Sequence, residues 1–225
     1  MRRLTAILFD LDHTLYHPSS GLMEAGDRRI TEYLARHQGV SWEAADALRE
    51  RLWRQYGTTA LGAECELGLS QAELYEYAQG GLEPEAFLTP DPAVAAMLAS
   101  LEADLYVATN SLASYARRVL AVLELGQYFR AVLDIAAMGW RPKPQPEAYV
   151  ALVGAVGRPA EELAFIDDFA HNLPPARQLG LYTVFLGPGQ AEADLCLQDL
   201  TALPEALHEA GVGVVSRACG PPPEA

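Results

Sequence analysis

The chain has 225 residues, half of them hydrophobic, and a formal net charge of −14. That length suits one core domain plus a substantial insertion, with enough apolar side chains for a sizeable buried core. So acidic a surface repels nucleic-acid backbones and anionic membranes, so neither is expected as a partner, and no apolar run reaches the roughly 18 residues that a membrane helix needs.

Arg2 and Arg3 precede a short apolar run, the outline of a stunted signal peptide. The run ends in Asp10 and Asp12, however, and no small-residue cleavage site follows. It reads instead as a buried strand. Cys65, Cys196 and Cys219 lie far apart, without metal-ligand or redox spacing, which fits a reducing compartment. A cytoplasmic protein is expected, monomeric or homodimeric.

In chain order, residues 4–9 form a continuous apolar run that stops at Asp10, the pattern of a parallel strand buried on both faces. Residues 17–88 then carry helical patterns alone, around 24–38, 42–56 and 71–79. Strands and helices alternate from there. A helix over 92–101, with Asp91 as its N-cap and Pro92 at its first position, leads to a strand over 105–108 that ends at Thr109-Asn110. A helix over 112–125, closed by Gly126, leads to a strand over 131–135. A helix over 146–156 leads to a strand over 163–166 that ends at Asp167-Asp168. A helix over 174–179 and a strand over 182–186 complete the series. This alternation predicts an α/β fold, a doubly wound parallel sheet with right-handed crossovers and a Rossmann-like core. The expected core covers residues 1–16 and 89–210. The all-helical segment 17–88 is inserted between the first two strands and is expected to cap the carboxyl edge of the sheet, opening and closing over it. Residues 211–225 are expected to form a frayed tail.

Ligands of such sheets bind beyond the carboxyl ends of the strands, where Asp10, Thr109 and Asp168 all fall. Two aspartates two residues apart raise each other's proton affinity unless a cation intervenes. A hard divalent cation with oxygen ligands, magnesium above all, relieves that repulsion. One carboxylate can then attack phosphorus while the other passes a proton to the leaving oxygen. Asp167-Asp168, with Asn172 shortly after, repeats this arrangement. Lys143, bracketed by prolines in Arg-Pro-Lys-Pro, offers a compact cation that neutralises phosphate and keeps a nucleophile ionised. Each signal alone has a plainer account. Asp-x-Asp is commonly a turn or a cap, Thr109 serves as a helix N-cap, and a lone lysine is commonly solvated surface.

Together, in this order, they resemble the haloacid dehalogenase-like hydrolases. The likeness runs from Phe9 to about Gly187 and rests on Asp10-x-Asp12-x-Thr14, Thr109, Lys143 and Asp167-Asp168. The resemblance implies Asp10 as nucleophile and metal ligand, and Asp12 as general acid/base that binds the metal through its backbone carbonyl. It implies Thr109 and Lys143 as grips on the phosphoryl group, with Asn110 adding a contact. Asp168 becomes the main further metal ligand, supported by Asp167, with Asn172 where many members carry another carboxylate. The implied cofactor is Mg2+, and the implied partner is a small phosphorylated substrate. An aspartate at position 12 favours phosphoryl chemistry, since dehalogenases of the family lack it.

Phe9-Asp-Leu-Asp-His-Thr-Leu-Tyr16, Phe165-Ile-Asp-Asp and Gln55-Tyr-Gly-Thr-Thr59 with Gly62 resemble the pyrimidine 5′-nucleotidase branch. That likeness implies a nucleoside monophosphate substrate with Tyr56 facing it. His13 and Phe169 depart from the branch, where Asn and Ser are commoner; neither change removes a ligand, but Phe169 leaves substrate choice open. His13 and His171 read as loop residues, and Trp42, Trp53 and Tyr75 as packing residues of the cap. A phosphomutase acting on a sugar phosphate, and a binding protein that has lost catalysis and uses its cap as a surface, stand as alternatives.

Overall fold

The computed structural model describes residues 2–215. Its centre is a six-stranded, wholly parallel sheet in an α/β fold, with nine helices among the described residues. After a two-residue strand β1 (Arg3–Leu4) come β2 (Ala6–Phe9), β3 (Asp104–Ala108), β4 (Phe129–Leu133), β5 (Leu163–Asp167), β6 (Tyr182–Leu186) and β7 (Leu195–Leu197). The spatial order is β4-β3-β2-β5-β6-β7, so the first strand of the sheet lies at its middle, between β3 and β5.

β2 is apolar at every position because it is buried on both faces. Ile7 and Phe9 face one half of the core, with α5 (Pro92–Ser100), α6 (Ala113–Val122) and α9 (Leu203–Glu209). Ala6 and Leu8 face the other, with α7 (Pro146–Val156) and α8 (Leu173–Leu179). The two-residue period of a strand thus sorts its side chains between two helical layers.

Between β2 and β3 the chain forms α1 (Leu22–Gln38), α2 (Trp42–Tyr56), α3 (Thr59–Leu67) and α4 (Gln71–Gly80). Ser41, Thr58 and Ser70 cap the last three, each side-chain oxygen accepting a backbone N–H of the first turn. α3 was not anticipated: its face toward the neighbouring helices is Thr59-Ala-Leu-Gly-Ala63, buried throughout and without amphipathic period. Gly62 makes its seat on α2, since a Cβ there would lie 2.8 Å from Leu52 Cβ and 2.8 Å from Tyr56 Cδ2. Gly57 is required twice over. Its φ of +84° is left-handed, and an added Cβ would stand 2.9 Å from Cδ of Pro144, beside Lys143 in the core.

The structure corrects three boundaries. The run 4–9 is divided at Thr5, the fourth strand starts at Phe129 and ends at Leu133, and the edge strand β7 extends the sheet beyond β6. The expected tail is also shorter at its start. Gly213–Val214 form β8, which pairs in parallel with β1, because Arg2 and Leu4 leave carbonyl oxygens that the N–H groups of Gly213 and Val215 can reach. Residues 216–225 of that expected tail, Cys219 among them, lie outside the described residues. Among the described residues no helix is long and apolar enough to cross a membrane.

Candidate active site

Four loops deliver polar side chains to the carboxyl edge of the sheet. Asp10 and Asp12 follow β2, Thr109 to Ser111 follow β3, Lys143 lies between β4 and α7, and Asp167 ends β5 with Asp168 just after it. All of these line one cavity of about 440 Å3, roofed by residues of α1 to α4.

Lys143 is the hub. Its side chain is 1% exposed, and its ammonium donates to Asp10 Oδ1 at 2.6 Å, Asp167 Oδ2 at 2.8 Å and the Ala108 carbonyl at 2.8 Å. All three ammonium protons are therefore committed. Burial opposes the charge on Lys143, but the carboxylates of Asp10 and Asp167 outweigh it and hold the ammonium above the ordinary lysine range. Asp10 answers to the opposite balance. Burial pushes its carboxyl well above the usual carboxylate range, Lys143 lowers it, and the neighbouring Asp167, Asp12 and Asp168 charges raise it again.

Asn110, on the cavity wall, grips the lysine loop. Its side-chain amide donates to the Lys143 carbonyl at 3.0 Å and accepts the Lys143 N–H at 2.8 Å. The Thr109 hydroxyl, 1% exposed, accepts the N–H of Ser111 at 3.0 Å. Asp167 is fully engaged, by Lys143, by the Phe169 N–H and by the side-chain amide of Asn172. Asp168 faces His13 Nδ1 at 3.7 Å. Burial raises the Asp168 carboxyl while His13 counters it, and the same contact is the main cause of the raised His13 value. His13 has φ 63°, a left-handed backbone that Asn and His tolerate better than most residues.

Three hydroxyls hold Asp12, a feature the sequence reading missed. Tyr16 and Tyr115 donate to Oδ1 at 2.6 and 3.1 Å, and Ser111 donates to Oδ2 at 3.0 Å. Burial, then the Asp12 charge, keeps both phenols above their usual range, so they remain donors. Tyr16 closes the Asp-x-Asp-x-Thr run one helical turn after Asp12, which was the available signal; Tyr115 arrives from α6 with none.

The cap contributes differently from expectation. Tyr56 does not line the cavity: its ring lies on Gly62 and its hydroxyl donates to Glu66 at 3.2 Å. It ends α2 on the side turned to α3, which fixes that direction. Trp53, read as packing, lines the cavity, and its ring meets Phe169 edge-on at 5.6 Å across the cap–core boundary. Tyr75 also lines it, while Trp42 is 46% exposed away from it.

The residues fit a hard divalent cation. Carboxylate oxygens of Asp10, Asp167 and Asp168 lie within 4.8 Å of one another, more negative charge than Lys143 neutralises. The buried Oδ1 of Asn172, beside them, has no hydrogen-bond partner among the described residues.

A family model of haloacid dehalogenase-like hydrolases matches residues 4–180. The chain belongs to this family of enzymes. Among haloacid dehalogenase-like relatives, a phosphoglycolate phosphatase of Pectobacterium atrosepticum is 29% identical over 196 residues, covering 82% of each chain. A HAD phosphatase from Thermococcus onnurineus superposes with TM-score 0.62 at 20% identity, over 91% of this chain and 98% of its own. An L-2-haloacid dehalogenase from Xanthobacter autotrophicus gives TM-score 0.58 at 19% identity, over 91% and 98%. These two structural likenesses speak to the fold, which phosphatases and dehalogenases share.

Proposed function

We propose that the chain is a magnesium-dependent phosphatase that hydrolyses a small phosphate monoester through an aspartyl-phosphate. The observation that carries this reading is the buried Lys143 ammonium bridging Asp10 and Asp167 at the sheet edge, with Asp12 held beside them. An aspartate at position 12 supplies the acid/base that phosphoryl transfer needs.

Lys143 opposes the burial that raises Asp10 by bonding Oδ1, leaving Oδ2, among the described residues, with the Thr14 hydroxyl at 3.5 Å. That carboxylate attacks phosphorus, the bond from phosphorus to the alcohol oxygen breaks, and Asp12 gives its proton to the departing oxygen. Asp12, now a carboxylate, takes a proton from water as that water attacks the phosphoaspartate. The bond to Asp10 breaks, and inorganic phosphate leaves with the enzyme restored. Tyr16, Tyr115 and Ser111 hold the Asp12 carboxyl in place through both halves. Thr109 and the backbone around it receive the phosphoryl oxygens. Magnesium, bound by Asp10, Asp168 and the Asp12 carbonyl with Asp167 and Asn172 in support, would offset the negative charge that builds on the phosphoryl group.

Within the family, the likeness to the pyrimidine 5′-nucleotidase branch supports a nucleoside 5′-monophosphate as substrate. Trp53 and Tyr75 replace Tyr56 as the aromatic groups placed to meet a base. The unpaired Cys65 and Cys196 support a cytoplasmic setting. Asp10→Asn is expected to abolish phosphate release from uridine monophosphate and p-nitrophenyl phosphate with the fold intact by circular dichroism. Undiminished release would refute the reading.

A further inference from the structure

On its cap side the chamber is lined mainly by hydrocarbon, from Leu22, Ile30, Ala60, Leu74, Ala78 and Leu82. The charged groups that the cap adds are Glu24, Asp27, Glu50 and Arg49. Arg49 is already engaged. Its guanidinium bonds Asp27 at 3.1 Å and Asp46 at 3.0 Å, tying α1 to α2, and Asp46 is fixed in turn by the Thr31 hydroxyl. On the floor, Lys143 has spent its donors on Asp10, Asp167 and Ala108. The remaining basic side chains of the lining are the histidines: His13 faces Asp168, and the ring of His171 packs on Phe169 at 4.7 Å. Seven carboxylates line the chamber against Arg49 and Lys143. A divalent cation offsets two of those charges, and the phosphate of a substrate returns about as much.

We infer that the chamber selects phosphate monoesters whose alcohol part is uncharged, with ring or alkyl surface to set against the cap, and rejects those whose alcohol carries a carboxylate or a second phosphate. This rests on the phosphatase reading and narrows it. A second anion entering above the phosphate meets Glu24, Asp27 and Glu50, and among the described residues the arginines beside them are already engaged, Arg49 on Asp27 at 3.1 Å and Arg54 on Glu50 at 2.7 Å. An alkyl or ring group meets a matching apolar wall in a space of ligand size. Selectivity here comes from repulsion as much as from attraction. The chain is thereby set apart from its phosphoglycolate phosphatase relatives, whose named substrate bears a carboxylate.

The test compares propyl phosphate with phosphoglycolate, esters of similar size that differ in that charge. Turnover by the wild-type enzyme with magnesium is measured beside calorimetric binding to Asp10→Asn. The expected preference for propyl phosphate is about tenfold or more in both measurements, shrinking as salt rises from about 0.05 to about 0.5 M. Glu50→Gln, on the exposed side of α2, is expected to shift the ratio severalfold toward phosphoglycolate. Equal or better handling of phosphoglycolate overturns the inference, as does a selective loss of phosphoglycolate turnover in Arg49→Gln, which would mean that Arg49 leaves Asp27 to bind a second anion. If neither ester is hydrolysed but Asp10→Asn still prefers propyl phosphate, the phosphatase reading falls and the chamber's selectivity stands. Hydrolysis of both with phosphoglycolate favoured does the reverse.

Discussion

Replacing Lys143 by methionine removes the cation that touches both Asp10 and Asp167, while filling most of its volume. The substitution strips three hydrogen bonds and leaves two buried carboxylates facing each other. Breaking a buried ion pair from one side costs about 3–5 kcal/mol. For a chain of this size each kcal/mol moves Tm by about 2–4 °C, so a fall of about 6–20 °C is expected at neutral pH without magnesium. The deficit depends on pH with a definite sign. Asp10 is already raised by burial, and losing the ammonium raises it further. A carboxyl whose folded pKa lies above its unfolded value favours the fold while protonated, and that contribution fades as pH climbs through the raised pKa. The gap between variant and wild type is therefore smallest near about pH 4, where a carboxyl can take up the missing proton, and widest near about pH 8. Thermal melts followed by circular dichroism across that range check this. Phosphate release should fall at least about a hundredfold, as when a charge-stabilising group is lost elsewhere. A Tm within 2 °C of wild type at pH 8 would show that Lys143 is not the counter-charge of Asp10 and Asp167, and the account of the site would fail.

Gly57→Ala forces a side chain into a left-handed φ and against Pro144, a strain of about 1–3 kcal/mol, and should lower Tm by several degrees. Magnesium should raise Tm, by the equivalent of about 2.7 kcal/mol at a hundredfold excess over Kd. Because its ligands must be ionised, that gain should vanish below about pH 4 and on chelation; a Tm indifferent to magnesium at pH 7.5 would count against the cation site. Tyr115→Phe removes one of three donors to Asp12, a charged-acceptor bond of about 1.5–3 kcal/mol, so kcat should drop about tenfold or more with KM little changed. A shift confined to KM would mean that Tyr115 serves the substrate and not Asp12.

The parallel core was legible because its inner strands are buried on both faces and so write unbroken apolar runs, as in residues 6–9 and 163–166. The residues ending those runs were legible for the same reason: Asp10 and Asp167 interrupt hydrocarbon abruptly. Lys143 could be placed by its prolines, but its burial could not, since that depends on carboxylates delivered by strands far away in sequence. Tyr56 and Trp53 exchanged expectations because both sit on α2 and the pattern of a helix does not say which face meets a neighbour and which a cavity. α3 escaped for want of an exposed polar stripe, and β7 because three residues carry no period. The clamp on Asp12 needed α6 to be docked before Tyr115 could be seen in it.

The position of β2 has a consequence for how the chain reaches its folded state. It is made before both of its neighbours in the sheet, β3, about a hundred residues later, and β5, more than 150 residues later. That apolar strand therefore waits, unpaired, until β3 and β5 have been made. Such distant pairing makes for slow folding and for a nascent chain with a sticky leading segment. The four helices that follow β2 in sequence pack chiefly on one another, so they can form during that wait. What serves the finished protein as a roof would then serve the growing one as an early folded unit, keeping the apolar lead close to the place where its partner strands arrive.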